Sequence, residues 1–115
     1  MELSGSPLTV NLNLYNGGGM YLKKYEMESG VMIAVCDEEL IGRKFSENGM
    51  SLEVSKAFYG GAKVTDKSVI AGLDCATIAN LVGEKAITCA VEGGFIDEDC
   101  VLRIEGIPHA QMFRM

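Results

Sequence analysis

The sequence contains no tryptophan, one histidine and two prolines among 115 residues, and it has no long hydrophobic run. Its longest apolar run, from Val31 to Cys36, has the length of a strand. A membrane-spanning helix needs about 20 apolar residues. The first residues also lack the basic and apolar segments of a secretory signal. These absences predict a soluble cytosolic protein that does not insert into membranes.

Basic charge is also scarce. Ten lysines and arginines face sixteen acidic residues, which gives a net charge of -6 and a pI near 4.7. The basic residues are scattered, and only Lys23-Lys24 and Arg43-Lys44 are adjacent. Non-specific binding to nucleic acid depends on clustered lysine and arginine. We therefore expect none, although a local basic patch remains compatible with the composition.

Closely spaced cysteine pairs are absent. Cys36, Cys75, Cys89 and Cys100 include no Cys-x-x-Cys pair, so free thiols are expected in a cytosolic protein. A Cys₃His set of Cys75, Cys89, Cys100 and His109 would lack the close ligand pairs of structural zinc sites. We therefore predict no metal and no cofactor. There is also no Gly-x-Ser-x-Gly elbow and no phosphate loop ending in Gly-Lys-Ser/Thr.

The chain divides near Met20. Residues 1–19 contain one charged residue, Glu2, and end in three glycines. This composition predicts a leader, a tail or a mis-assigned start, and residues 20–115 are predicted to form a single domain. An alternative is that the alternating residues 8–14 pair as an edge strand.

The body of the chain alternates strand-like and helix-like patterns. Its composition, 48% hydrophobic, suffices for a core. The patterns predict a hairpin turn at 28–30, a helical turn at 37–42 and core positions at Met50, Leu52 and Val54. Predicted strands lie at 21–27, 31–36, 50–54, 101–104 and 111–115. One helix is predicted to start at residue 65, and a second is predicted to span 84–92. The predicted fold is α+β, a compact two-layer sandwich of a mostly antiparallel sheet with two main helices.

Four stretches resemble a known family. They read AVCDEELIG at 34–42, FYGG at 58–61, ATIANLVG at 76–83 and RIEGIPHAQ at 103–111. From Met20 onward, the sequence resembles the archaeal family known as domain of unknown function 424. The resemblance implies an archaeal source and a compact α+β fold, and it implies no reaction. A role beside translation or RNA metabolism is the expectation for small archaeal families of this kind.

The last two stretches supply most candidate site residues. Asn80 and His109 interrupt apolar sequence, and a buried amide costs about 1–3 kcal/mol unless it is hydrogen-bonded. Asn80 therefore either holds a turn or contacts a ligand, and His109 either caps a strand or acts in binding. Both are predicted at the ends of regular elements, close together. Their predicted binding neighbours are Thr77, Gly83, Gly106, Pro108 and Gln111.

The pair Phe58-Tyr59, followed by Gly60-Gly61, has two interpretations. The rings could stack on a nucleic-acid base, or they could fill the core beside a helix end. The site residues together favour a non-enzymatic module that binds a protein or ribonucleoprotein partner. The alternative is a small hydrolase or transferase that uses His109 and Asn80. The oligomeric state is left open.

Overall fold

The computed structural model describes residues 19–114. The prediction for the N-terminal segment therefore falls almost wholly outside the described residues. Thirteen elements follow one another within them. The strands are β1 (Met20–Met27), β2 (Gly30–Asp37), β3 (Lys44–Glu47), β4 (Met50–Glu53), β5 (Ala62–Val64), β6 (Ile78–Val82), β7 (Leu102–Ile104) and β8 (Ile107–Phe113). The α-helices are α1 (Lys56–Tyr59), α2 (Asp66–Cys75) and α3 (Glu84–Glu92), and 3-10 turns span Glu38–Leu40 and Glu98–Cys100.

Six strands form one sheet in the order β5-β1-β2-β6-β8-β7, and β3 pairs with β4 in a separate hairpin. All neighbours in the large sheet are antiparallel except β2 and β6. The α+β class with a mostly antiparallel sheet is thus confirmed. The central strand β2 is covered on both faces, as its apolar run predicts, because Ile33, Ala34, Val35 and Cys36 are at most 1% exposed.

The sheet carries a different layer on each face. Helices α2 and α3 cover one face through Val69, Leu73, Ile87 and Ala90. On the other face, the β3–β4 hairpin and α1 pack over one end of the sheet. Their buried side chains are Phe45, Leu52, Val54 and Tyr59. This partial second cover was not predicted from the sequence, and none of residues 19–114 covers the other end of that face.

Most predicted elements agree with the structure. The turn after Met27, the 3-10 turn after Asp37 and helix 84–92 are all confirmed. The prediction for Met50 was wrong, because its side chain is 40% exposed while Leu52 and Val54 are buried. Met50 follows the turn at Asn48 and Gly49, both with positive φ. The alternation continues to the tip of the hairpin, but the tip projects beyond the core.

The strands β6 and β8 correct a second prediction. Asn80 and His109 were expected at the ends of elements, yet both lie inside strands. Alternate residues of β8 do face opposite sides, with Ala110 and Met112 buried under α3 and Gln111 exposed. The sequence analysis missed this alternation because it includes Pro108, and proline is disfavoured in strands. The Pro108 carbonyl accepts from Gly83 N at 2.9 Å, so the Pro108 backbone faces a position just beyond the end of β6. The missing N–H therefore interrupts no ladder bond within β6.

Candidate functional site

The two polar stretches of the sequence lie on neighbouring strands. Strands β6 and β8 pair antiparallel, with Gln111 opposite Asn80 and His109 opposite Val82. Asn80, His109 and Gln111 therefore share one face of the sheet. Asn80 and His109 are diagonal neighbours, a relation that places residues roughly 7–8 Å apart. Their predicted proximity is confirmed, and a functional role for the pair stays a prediction.

The oxygen and the nitrogen of the Asn80 side-chain amide each have a hydrogen-bond partner. Gln111 Nε2 donates to Asn80 Oδ1 at 2.7 Å, and Asn80 Nδ2 lies 3.7 Å from the sulfur of Met32 as a donor. The contacts cross three adjacent strands, β2, β6 and β8. An amide–amide hydrogen bond with a weak sulfur acceptor satisfies a half-buried asparagine without a turn. The hydrogen bond between the Asn80 and Gln111 amides, which we call the amide ladder, therefore satisfies Asn80 in place of the turn that the sequence suggested.

His109 is half-buried, and burial lowers the pKa of its imidazole below the ordinary value. Burial is the single cause of this shift among the described residues. A histidine whose pKa is lowered is neutral at pH 7 and can both donate and accept a hydrogen bond. The side chain is therefore suited to polar contact with a ligand, and it lacks the carboxylate that would activate it as a base.

The burial of His109 predicts a pH effect on stability. A folded-state pKa below the unfolded value of about 6.5 means that unfolding takes up a proton at mildly acidic pH. The histidine contribution is thus fully present above about pH 6.5 and declines as pH falls through the folded pKa. We expect the melting temperature to drop more between about pH 7 and pH 5 in the wild type than in His109→Gln.

Thermal unfolding of both proteins across that range checks this expectation. His109 is the only histidine in the chain, so no second imidazole obscures the comparison. Parallel melting curves for the two proteins at every pH would show that the imidazole is solvated in the folded state.

Beyond Asn80, the uncovered end of the sheet is largely apolar. Register places Met32 beside Ile78, and Ile78 beside Phe113. The Phe113 side chain is 69% exposed, whereas Met32 and Ile78 are half-buried. We call this surface the open face. Its members are Met32, Ile78, Asn80, His109, Gln111 and Phe113.

Phe58 lies at the border of the open face, whereas Tyr59 is buried beneath the surface. Phe58 stacks on Tyr25 at 5.4 Å between ring centroids, and Tyr25 is the register neighbour of Met32. Tyr25 Oη donates to the Phe58 carbonyl at 2.8 Å. Tyr59 is 4% exposed, and burial raises its pKa to about 12. Of the two, only Phe58 can touch a molecule on the open face.

The remaining predicted residues position the strands. Thr77 Oγ1 donates to the Val31 carbonyl at 3.1 Å and anchors β6 to β2. Gly106 follows Glu105 in a turn where both have positive φ, which joins β7 to β8. Pro108 is buried, and Gly83 begins α3 with φ 109°. These residues hold the scaffold of the open face, and their geometry needs no ligand to explain it.

Sequence reasoning missed one group, the Asp37 carboxylate at the end of β2. Its side chain is 1% exposed and accepts from Lys85 N at 3.0 Å and Ala86 N at 2.9 Å. Burial raises its pKa, against the opposing effect of the two N–H donors. The carboxylate caps α3 from another element. Because Glu38 and Glu39 follow Asp37, the sequence pattern placed all three residues in one helical turn, and the separate role of Asp37 was missed.

The cysteines and cavities lie apart from the open face. Cys36 and Cys89 are buried free thiols, whose pKa values burial raises to about 12 and about 11, and Cys75 and Cys100 are exposed.

Within residues 19–114, no three His, Cys, Asp or Glu side chains are arranged as metal ligands. No helix in this part of the chain is long and apolar enough to cross a bilayer. A cavity of about 500 Å³ adjoins α3 and β7.

Comparison with known proteins identifies relatives without an assigned activity. The crystal structure of an uncharacterized conserved protein from Methanopyrus kandleri is similar, with 26% identity and a TM-score of 0.68. The match covers 84% of this chain and 94% of that protein. No curated protein matches the sequence. Residues 25–115 match a family profile described as "Protein of unknown function (DUF424)", and the chain therefore belongs to that family.

Proposed function

We propose that this protein is a non-enzymatic interaction module of the cytosol, which binds a protein or ribonucleoprotein partner through the open face. The observation that supports this most strongly is Phe113, a large aromatic side chain left 69% exposed at the last residue of β8. Burying such a side chain stabilises a complex by about 1.5–3 kcal/mol. Contiguous exposed apolar surface with a polar rim is typical of interaction sites.

The polar members of the open face add specificity to this apolar centre. The Asn80–Gln111 ladder offers amide groups in a fixed geometry, since the two side chains hold each other at 2.7 Å. The neutral imidazole of His109 lies one diagonal step away. Regular strands present these groups with little loss of conformational freedom on binding.

The chemistry of the partner follows from charge. A net charge of -6 repels phosphate backbones at long range, so the contacting surface of the partner is proposed to be protein. The likeness to an archaeal protein, within a family without an assigned reaction, is compatible with an accessory role in translation or RNA metabolism. In such an assembly the module would contact a protein component, and RNA would be linked to it indirectly.

The alternative, a small hydrolase or transferase, requires a nucleophile or acid beside His109. The contacts of the two key residues favour binding instead. The Asn80 amide is occupied by Gln111 and Met32, and burial alone shifts the pKa of His109. An enzyme would be indicated if His109→Ala abolished turnover of a generic ester or phosphate substrate by the purified wild type.

Affinity capture from an extract of the natural source, with and without nuclease, tests the proposal. The full-length wild type should retain a defined protein after nuclease treatment. Phe113→Ser, Asn80→Ala and His109→Ala should each weaken its capture, with a loss of about tenfold for Phe113→Ser. Phe113→Ser should unfold within about 0.5 kcal/mol of the wild type, as most surface substitutions do. Asn80→Ala and His109→Ala change half-buried side chains and should each cost about 0.5–3 kcal/mol, so capture is compared at a temperature at which both variants remain folded.

Lys67→Ala serves as the control, because Lys67 is exposed on α2, on the other side of the sheet. It should capture the same protein as the wild type. Equal capture by the open-face variants and the control would contradict the proposal. Loss of all capture on nuclease treatment would contradict the protein contact and indicate direct RNA binding.

A further inference from the structure

A groove runs between α3 and the edge strand β7, away from the open face. It forms the cavity of about 500 Å³. Its apolar surface comes from Ile87 and Val91 on the helix and from Val101 immediately before β7. Leu102 borders the groove through its backbone, because its register partner is His109 and its side chain therefore lies on the other face of the sheet. An apolar channel beside a sheet edge is the setting in which extended peptides bind to many domains.

Among residues 19–114, no strand pairs with the outer edge of β7. Ile104 and Ile107 form the pair that closes the two-residue turn, and Arg103 lies opposite Pro108 at the next position. In an antiparallel ladder, hydrogen-bonded and non-hydrogen-bonded pairs alternate. Proline has no N–H and suits the non-hydrogen-bonded position. The N–H and C=O of Arg103 therefore point away from β8, towards the outer edge of the sheet.

The rim of the groove is acidic. Arg103 Nη1 lies 3.0 Å from Glu84 Oε2, so this pair is neutralised internally. Glu92 and Glu98 also line the groove, and neither has a salt-bridge partner among residues 19–114. Uncompensated carboxylates on the rim of a groove attract cations, and the attraction weakens as salt is raised.

We propose that this groove binds an extended basic peptide segment, which adds to β7 as a further strand. An apolar side chain of the peptide would lie over Val91 and Val101. Lysines or arginines on either side of it would reach Glu92 and Glu98. Backbone hydrogen bonds at Arg103 would fix its direction. The inference does not rest on the open face, and the two surfaces could be occupied together.

The test uses the full chain and a labelled, capped synthetic peptide of lysines around a central valine. Fluorescence anisotropy should show saturable binding that weakens as salt is raised. The double variant Glu92→Gln/Glu98→Gln should lose about tenfold in affinity. Glu53→Gln, an exposed acid on β4, is the matched control and should bind as the wild type does.

Two peptide controls separate this mode of binding from simple charge attraction. A version with glutamates in place of lysines should not bind, and a version with N-methylated backbone amides should bind at least about tenfold more weakly. Amide chemical shifts of the wild type should move at Val101–Arg103 and along α3. The proposal is overturned by absence of saturable binding, by equal affinity of the N-methylated peptide, or by shifts centred on Asn80 and Phe113.

Discussion

Gly83→Ala should destabilise the protein by about 2–6 kcal/mol, because it combines an unfavourable backbone conformation with close contact against a buried carboxylate. Gly83 has φ 109°, a region that costs a residue with a side chain about 1–3 kcal/mol. A Cβ at this position would also lie 2.6 and 2.7 Å from the two carboxylate oxygens of Asp37. Overpacking of this kind costs about 1–3 kcal/mol more.

Urea and thermal unfolding of purified Gly83→Ala measure this effect. Gly94→Ala is a matched control, because Gly94 has φ 79° and a Cβ there would meet nothing within 4 Å. The control should lose only the backbone contribution, about 1–2 kcal/mol. If the two variants were equally stable, contact with Asp37 would not restrict residue 83.

The consequence of this prediction extends to the open face. Gly83 N donates to the Pro108 carbonyl at 2.9 Å, one residue before His109. The same glycine ends β6 and begins α3. A change at Gly83 should therefore move His109 relative to Asn80 as well as weaken the fold. Gly83, predicted as a binding residue, would then affect binding through the positions of its neighbours.

The sequence predicted the elements whose pattern is local. Helix 84–92 has an apolar face and a glycine pair at its end, and β2 is a continuous apolar run. Both were predicted with nearly the right bounds because their signals lie within a few residues. The sequence did not predict β6 or the full length of β8. Asn80 and His109 interrupt the apolar pattern of these strands, because they occupy alternate positions that face the uncovered end of the sheet.

The candidate site was predicted in part for the same reason. The nearness of Asn80 and His109 was correct, because each stands out locally as a polar residue in apolar sequence, but the partner of the Asn80 side chain is Gln111 rather than His109. The pairing of Asn80 with Gln111 depends on the register of β6 and β8, which the sequence does not specify. The role of Asp37 depends on residues 48 and 49 positions away.

Asp37→Ala should cost about 2–4 kcal/mol, the second large effect that we expect. The change would leave Lys85 N and Ala86 N without their acceptor at the start of α3. Each unsatisfied buried donor costs about 1–3 kcal/mol, so the two cost about 2–6 kcal/mol, and the loss of the helix cap consists of these same two bonds. The burial that raises the Asp37 pKa offsets a part of this, because the variant no longer buries a carboxyl group.

Denaturant unfolding of Asp37→Ala gives the measurement, with Asp99→Ala as the control. Asp99 is an exposed acid in the 3-10 turn at Glu98–Cys100, and its removal should change stability by less than about 0.5 kcal/mol. Equal losses in the two variants would mean that the Asp37 carboxylate does not cap α3.

The double variant Asp37→Ala/Gly83→Ala tests whether the two residues act on each other. The nearest atoms to a Cβ at position 83 all belong to the Asp37 carboxylate. Once that carboxylate is gone, Gly83→Ala should cost only the backbone contribution, about 1–3 kcal/mol for a residue with φ 109°. The double-mutant cycle should therefore give a coupling of at least about 1 kcal/mol. Strictly additive losses would place the strain of Gly83→Ala in the backbone alone, and the close approach of Asp37 would then have no energetic role in selecting glycine.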